Sequence, residues 1–417
     1  MKKMLINRLK SNTTIKQTLS IATSNIVAMG IGFLLNMFIA KHIGVEQFGI
    51  LSFAMAVPSF IAIFMEFGFY STAAKDLADN NDKEYERTLL GTVFIVYILI
   101  SLLFAGLIFV ISYVIDDYFS DKIGYLLRPL ALFSFVYTAP FFLEWTLKAI
   151  NKIYLLSLFN ISTKAVYAIL VIFLFMADNM EPMSILIANV VSGTIAFIYI
   201  CWNLNPKFKN VINGLTLLYE HNKLIGFPLY CGRIVDVGTA NMDKMLIAYW
   251  VDAKAVGLYT LAITFASPIN MLGRAFSISK FKDFAHENVI SNKIIHSVHI
   301  STLGSFLLIV ICGAITLVGY LNGEYIDSFF YMLLVSLGVI AQAEYAAYNS
   351  WLGVKGYTKS MRKATFKICI VNSIGNVLLT YLYGIIGTCI AFSVGYIYSY
   401  IVYKKLYNYY SKCYAVM

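Results

Sequence analysis

Arg233 and Asp236, three residues apart, and the adjacent Asp243 and Lys244 all fall within an otherwise apolar stretch, 225–249. Guanidinium and ammonium groups are charged hydrogen-bond donors suited to a diphosphate or an acidic sugar, and a carboxylate beside them can take up and release a proton. On one continuous helix, at about 100° per residue, the four charges share an arc of roughly 100° and so one face. On this reading Arg233 and Lys244 bind an anion and Asp236 or Asp243 couples an ion. The plainer alternative is that Arg233 and Asp236 pair along the helix and only help it insert.

Other apolar stretches hold the basic residues Arg128, Lys164 and Lys367 and the acidic residues Glu66, Glu144 and Glu344. Five bases and five acids sum to zero, so some of them must pair. Glu144 and Lys148 have the spacing of a local ion pair. Lys164 continues a polar stripe of Ser157, Asn160 and Tyr167, which makes it a central candidate cation. Arg128 and Lys367 lie near stretch ends, where long side chains reach back to the interface. The six cysteines form no CxxC and His296 and His299 have no evident third ligand, so disulfide, metal and cofactor readings are poor.

The elements that carry these residues are set by composition. The chain of 417 residues is 59% hydrophobic and 13% charged, with mean hydropathy +0.74, whereas soluble domains are about 25% charged. Twelve apolar spans are long enough to cross a bilayer: 18–40, 48–70, 90–115, 125–147, 154–176, 183–204, 225–249, 255–277, 295–320, 329–353, 365–383 and 386–403. They are continuously apolar rather than alternating, which excludes a membrane barrel. Of the 32 Lys and Arg, 24 fall in the two tails and the turns after even-numbered spans, counting Arg274 at the inner end of span 8. The opposite turns hold only Lys41, Lys122 and Lys254. By the positive-inside rule both termini are cytoplasmic. The net charge of +10 is then a topology signal and does not point to nucleic acid. No cleavage site follows the polar lead, so span 1 is expected to be retained.

The chain also repeats itself. Phe38–Ala54, "FIAKHIGVEQFGILSFA", aligns without gaps to Leu246–Ala262, "LIAYWVDAKAVGLYTLA", at an offset of 208, with Gly49 matched to Gly257. The same offset sets Arg233 on Asn25, Ala240 on Gly32 and Lys244 on Asn36, and Asn25, Gly32 and Asn36 lie on one stripe of span 1. An offset of six spans preserves direction, as in parallel transporter repeats. The expected organisation is an N-terminal bundle 1–204, a cytoplasmic linker 205–224 with an amphipathic middle along the inner membrane surface, and a C-terminal bundle 225–417. Gly49 and Gly257 are read as letting each turn re-enter the membrane closely.

"LLNMFIAKHIGVEQFGILSFAMAVPSFIAIFMEFGF", "RPLALFSFVYTAPFFLEWTLKAINK" and "NMDKMLIAYWVDAKAVGLYTLA" resemble the first two helices, the fourth helix and the seventh-to-eighth hairpin of the bacterial O-antigen and capsule repeat-unit flippases. The resemblance implies an all-α polytopic membrane protein of about 12 transmembrane helices, in two pseudo-symmetric parallel six-helix bundles around a central cavity. It implies a transporter of the bacterial inner membrane that moves an undecaprenyl-diphosphate-linked oligosaccharide from the cytoplasmic to the periplasmic leaflet. Its partners would be that lipid-linked substrate and other polysaccharide-assembly membrane proteins. The substrate-binding candidates are Arg233, Lys244, Lys164, Arg128, Asn25 and Asn36, and the ion-coupling candidates are Asp236 and Asp243. An ion-coupled multidrug antiporter of the same superfamily is the first alternative. A polysaccharide polymerase or ligase is the second, disfavoured because the longest outside turn, "DDYFSDKIG", is short and no phosphate-cradling Gly loop is present.

Overall fold

Lipid offers backbone polar groups no partner, so a chain this apolar must satisfy them within each segment, which a helix does. The computed structural model describes residues 13–80, 82–237, 241–271, 284, 289–321 and 323–415, and their regular structure is helical throughout. The helices are α1 (Thr13–Ala62), α2 (Phe69–Asp79), α3 (Lys83–Tyr118), α4 (Gly124–Leu132), α5 (Phe135–Ala149), α6 (Ile153–Met176) and α7 (Pro182–Leu204). They continue with α8 (Val211–His221), α9 (Phe227–Val237), α10 (Met242–Trp250), α11 (Ala253–Ala266), α12 (Asn292–Gly313), α13 (Ile326–Val354) and α14 (Thr358–Ala415). π-helical turns lead into α9 (Asn222–Gly226) and out of α12 (Ala314–Tyr320).

Seven of the described helical segments are long and apolar enough to cross a membrane. Two of these, in α1 and α14, are far longer than one crossing and break at Gly44 (φ 77°) and Gly384 (φ 57°), where only a residue without Cβ is comfortable. Each is therefore a pair of spans. The α4–α5 pair, bent by 51°, makes another span; Ser134 at the bend donates its hydroxyl back to Ala131 O at 2.8 Å, a bond that bends helices. α9 and α10 fall in the seventh apolar run and α11 in the eighth. Leu99, Leu102, Leu103 and Val110 of α3 are more than half exposed, as suits a face whose solvent is lipid.

The chain packs into two compact units. The first comprises Met1–Leu35, Val57–Tyr118 and Lys122–Ile234. Its core includes an aromatic stack in which Tyr97 lies 4.9 Å from Phe142 and 5.1 Å from Phe197, ring to ring, while its hydroxyl donates to Phe135 O. The segment after α7 is held firmly on this unit. Lys207 N–H donates to Arg87 O at 2.8 Å, Arg87 Nε donates to Asn205 O at 3.0 Å, and a Cβ on Gly91 would lie 2.1 Å from Lys207 O. Lys207 also pairs with Glu84 at 3.0 Å and holds that carboxyl below the usual carboxylate range. Beyond α8, Asn222 accepts from the Thr72 hydroxyl at 3.0 Å and donates to Phe67 O at 3.1 Å.

The second unit comprises Asn36–Ala56, Phe119–Asp121 and Val235–Met417. Here the two copies of the repeat motif meet each other. A Cβ on Gly49 would lie 1.8 Å from Ala253 O, and a Cβ on Gly257 would lie 2.7 Å from Val45 O. At an offset of 208, Val45 corresponds to Ala253 and Gly49 to Gly257, so the contact is reciprocal, as a local twofold demands. The role of these glycines is thus the close crossing of one turn on its counterpart, which the reading of a turn re-entering the membrane did not contain. Asp121 caps the crossing by accepting from Ala253 N–H at 2.6 Å, and the Tyr325 hydroxyl donates to Ala40 O at 3.0 Å.

Candidate functional site

The seventh span is not one helix. α9 ends at Val237 and α10 begins at Met242, after Asn241 in the left-handed conformation (φ 64°), a region that Asn tolerates better than most residues. The single face expected for Arg233, Asp236, Asp243 and Lys244 assumes a continuous helix, and the left-handed backbone of Asn241 is not helical. Arg233 belongs to the first unit, Asp243 and Lys244 to the second. The side chains of Asp236 and Ala240 lie outside the described residues.

Arg233 is enclosed by carboxylates from elsewhere in its unit. Its guanidinium lies 3.0 Å from Glu66 Oε2 and 3.8 Å from Glu144 Oε2, with the Phe141 and Trp145 ring centroids 5.3 and 5.5 Å away. Glu66 is only 3% exposed, so this pair is sheltered from water. One turn away, the Tyr230 hydroxyl donates to Phe64 O at 2.7 Å and ties α9 to the same strand of chain. Glu144 also holds Lys148 at 2.6 Å, as their spacing predicts. Two carboxylates therefore face this guanidinium and offset its charge. Its partner was legible in one respect: an acid within an apolar run demands a base, although the sequence does not say which.

Lys164 and Lys244 differ from Arg233. Both are partly shielded, and among the described residues neither ammonium makes a hydrogen bond or ion pair. Asp243, next to Lys244, is occupied: it accepts from the Tyr259 hydroxyl, fully buried on α11, and from Lys244 N–H at 3.0 Å. That leaves Lys244 beside an acid whose oxygens already serve other donors. Lys164 sits on α6 beyond two polar rungs to α1, Ser20 to Ser157 at 3.0 Å and Asn160 Nδ2 to Asn25 Oδ1 at 2.9 Å. The sequence placed Asn25 and the Ser157–Asn160–Lys164 stripe on separate helices; the packing of α1 on α6 brings them together.

Asn36 lies in the second unit, half-buried and without a hydrogen bond to the described residues. Arg128 is exposed and stacks 4.3 Å over the Tyr113 ring, an interfacial placement, and Lys367 is exposed as well. His299 bonds to Glu344 across α12 and α13, a partnership that the reading of His296 and His299 missed. Among the described residues no group of His, Cys, Asp and Glu could hold a metal ion, and Cys201, Cys231, Cys312, Cys369 and Cys389 are free thiols.

Over 94% of its length the chain superposes on 87% of a lipid II flippase, MurJ, in an inward closed conformation, with TM-score 0.73 and 15% identity. It matches an inward-facing multidrug resistance transporter of the MATE family and MOP superfamily over 94% of this chain and 95% of that one, with TM-score 0.66 and 12% identity. In sequence it is 23% identical over 401 residues to an uncharacterized membrane protein of Methanocaldococcus jannaschii, covering 90% of this chain and 93% of the relative. The fold is thus that of multi-pass helical transporters, in keeping with the architecture that the residues suggested. Residues 14–272, well over half of the chain, match the polysaccharide biosynthesis protein family, and the chain belongs to that family.

Proposed function

We propose that this protein translocates an oligosaccharide linked to undecaprenyl diphosphate from the cytoplasmic to the outer leaflet of the bacterial cytoplasmic membrane, for O-antigen or a related surface polysaccharide. Two features support the reading: membership of a polysaccharide biosynthesis family and a fold shared with a lipid II flippase. The observation that carries it further is the presence of two lysines, Lys164 and Lys244, whose ammonium groups make no hydrogen bond or ion pair among the described residues. A charge at membrane depth costs about 2.5–3.5 kcal/mol or more, so it persists where it has a partner or a task. A diphosphate entering from the cytoplasmic side would offer such an ammonium a charged acceptor while its prenyl chain stays in lipid.

Transport by alternating access needs no covalent step, and on this reading the protein is not an enzyme. The halves 1–204 and 225–417 are the two repeats, 205–224 joins them, and both termini face the cytoplasm. Asp243 and Asp236 remain the candidates for ion coupling. Deleting the gene should abolish a surface polysaccharide, and the intact gene should restore it. A deletion that leaves the polysaccharide in place but sensitises cells to cationic dyes would instead favour drug export.

A further inference from the structure

The polar contact between α1 and α6 has chemistry left over. In the Asn25–Asn160 pair one N–H of Asn160 meets the carbonyl of Asn25. Both N–H groups of Asn25, and the carbonyl and second N–H of Asn160, have no partner among the described residues. Asn25 is exposed and Asn160 is half-buried, so packing within the unit does not close these groups off. Lys164 follows Asn160 by four residues on the same face, about one helical turn or 6 Å along the axis, and its ammonium is also unpartnered. The Ser20–Ser157 bond on the other side holds the two helices in register.

An amide pair with free donors and acceptors side by side matches neighbouring hydroxyls, each of which both donates and accepts. An ammonium one turn away matches a phosphate. A sugar joined to a diphosphate presents these two groups at a separation of the same order. Resting on the functional reading above, we infer that Asn25, Asn160 and Lys164 form a subsite for the junction of the lipid carrier: Lys164 takes the phosphate, and the amide pair takes hydroxyls of the first sugar. The subsite would make the first sugar a condition of recognition, so that the bare prenyl diphosphate is bound less well.

The test uses the full-length protein in detergent and two probes, a short-chain prenyl diphosphate and the same molecule carrying one hexose. Wild-type protein should bind the hexose-bearing probe roughly five- to tenfold more tightly, the range of one or two neutral hydrogen bonds. Asn160→Leu and Asn25→Leu should erase that difference while keeping the affinity for bare prenyl diphosphate. Lys164→Met should weaken both probes alike. Asn25→Ser, which retains a hydroxyl, should give an intermediate loss and guards against variants that fail to assemble. Wild-type binding that is equal for the two probes would overturn the subsite alone, as would Asn variants that lose both or retain the full preference. Failure of wild-type protein to bind either probe would overturn the functional reading together with it.

Discussion

The basic residues within the apolar spans divide by whether they have partners, and this division predicts opposite phenotypes. Arg233→Ala would strand Glu66, only 3% exposed, without its guanidinium; breaking such a pair costs about 3–5 kcal/mol. Unfolding in detergent should show a large loss of stability, and the double change Arg233→Ala with Glu66→Leu should recover most of it. If Arg233→Ala instead unfolds as wild type does but fails to transport, Arg233 is a substrate ligand after all. Lys164→Met and Lys244→Met should behave in the reverse manner, with wild-type stability and membrane levels and lost transport, because neither ammonium has a described partner to abandon. Charge type and burial were thus readable from the sequence. Partnership was not, because an ion pair such as Glu66–Arg233 spans 167 positions and depends on how helices pack.

Helices and their order follow from apolar run length, and even the two hairpins at Gly44 and Gly384 are marked by residue type. What the runs hide is discontinuity inside a span: 225–249 reads as one helix, yet Asn241 turns left-handed and separates α9 from α10. A helical wheel through 225–249 assumes a continuity that the backbone at Asn241 does not have. The repeat, in contrast, was legible as an offset and acquired its physical meaning from packing. Gly49→Ala would drive a Cβ to 1.8 Å from Ala253 O, a backbone atom that cannot step aside. Overpacking of this kind typically costs about 1–3 kcal/mol or more, so Gly49→Ala should sharply reduce folded protein in membranes. Gly257→Ala, with 2.7 Å to Val45 O, should be milder, and Gly106→Ala, with nothing within 4 Å, should be tolerated. Equal tolerance of all three, measured by detergent-extracted monodisperse protein, would contradict the reciprocal crossing. The segment after α7 is held by many bonds, so Lys207→Ala, which removes one exposed pair, should leave stability close to that of the wild type.

For the whole molecule, the proposed movement of an anionic lipid carrier rests on membership of a polysaccharide biosynthesis family and on two lysines without a hydrogen bond or ion pair among the described residues. The MATE-family likeness shows that the same fold also serves multidrug resistance transporters, so the fold does not decide the cargo and the charges must. In either unit an organic cation would meet such a lysine with repulsion, whereas a diphosphate would offer it a charged acceptor. The most direct measurement reconstitutes the protein in liposomes loaded with fluorescent undecaprenyl-diphosphate oligosaccharide and follows its arrival in the outer leaflet with a membrane-impermeant quencher. The account predicts protein-dependent arrival that the Lys164→Met, Lys244→Met double variant lacks despite normal incorporation. Arrival no faster than in empty liposomes, or equal transport by the double variant, would contradict it.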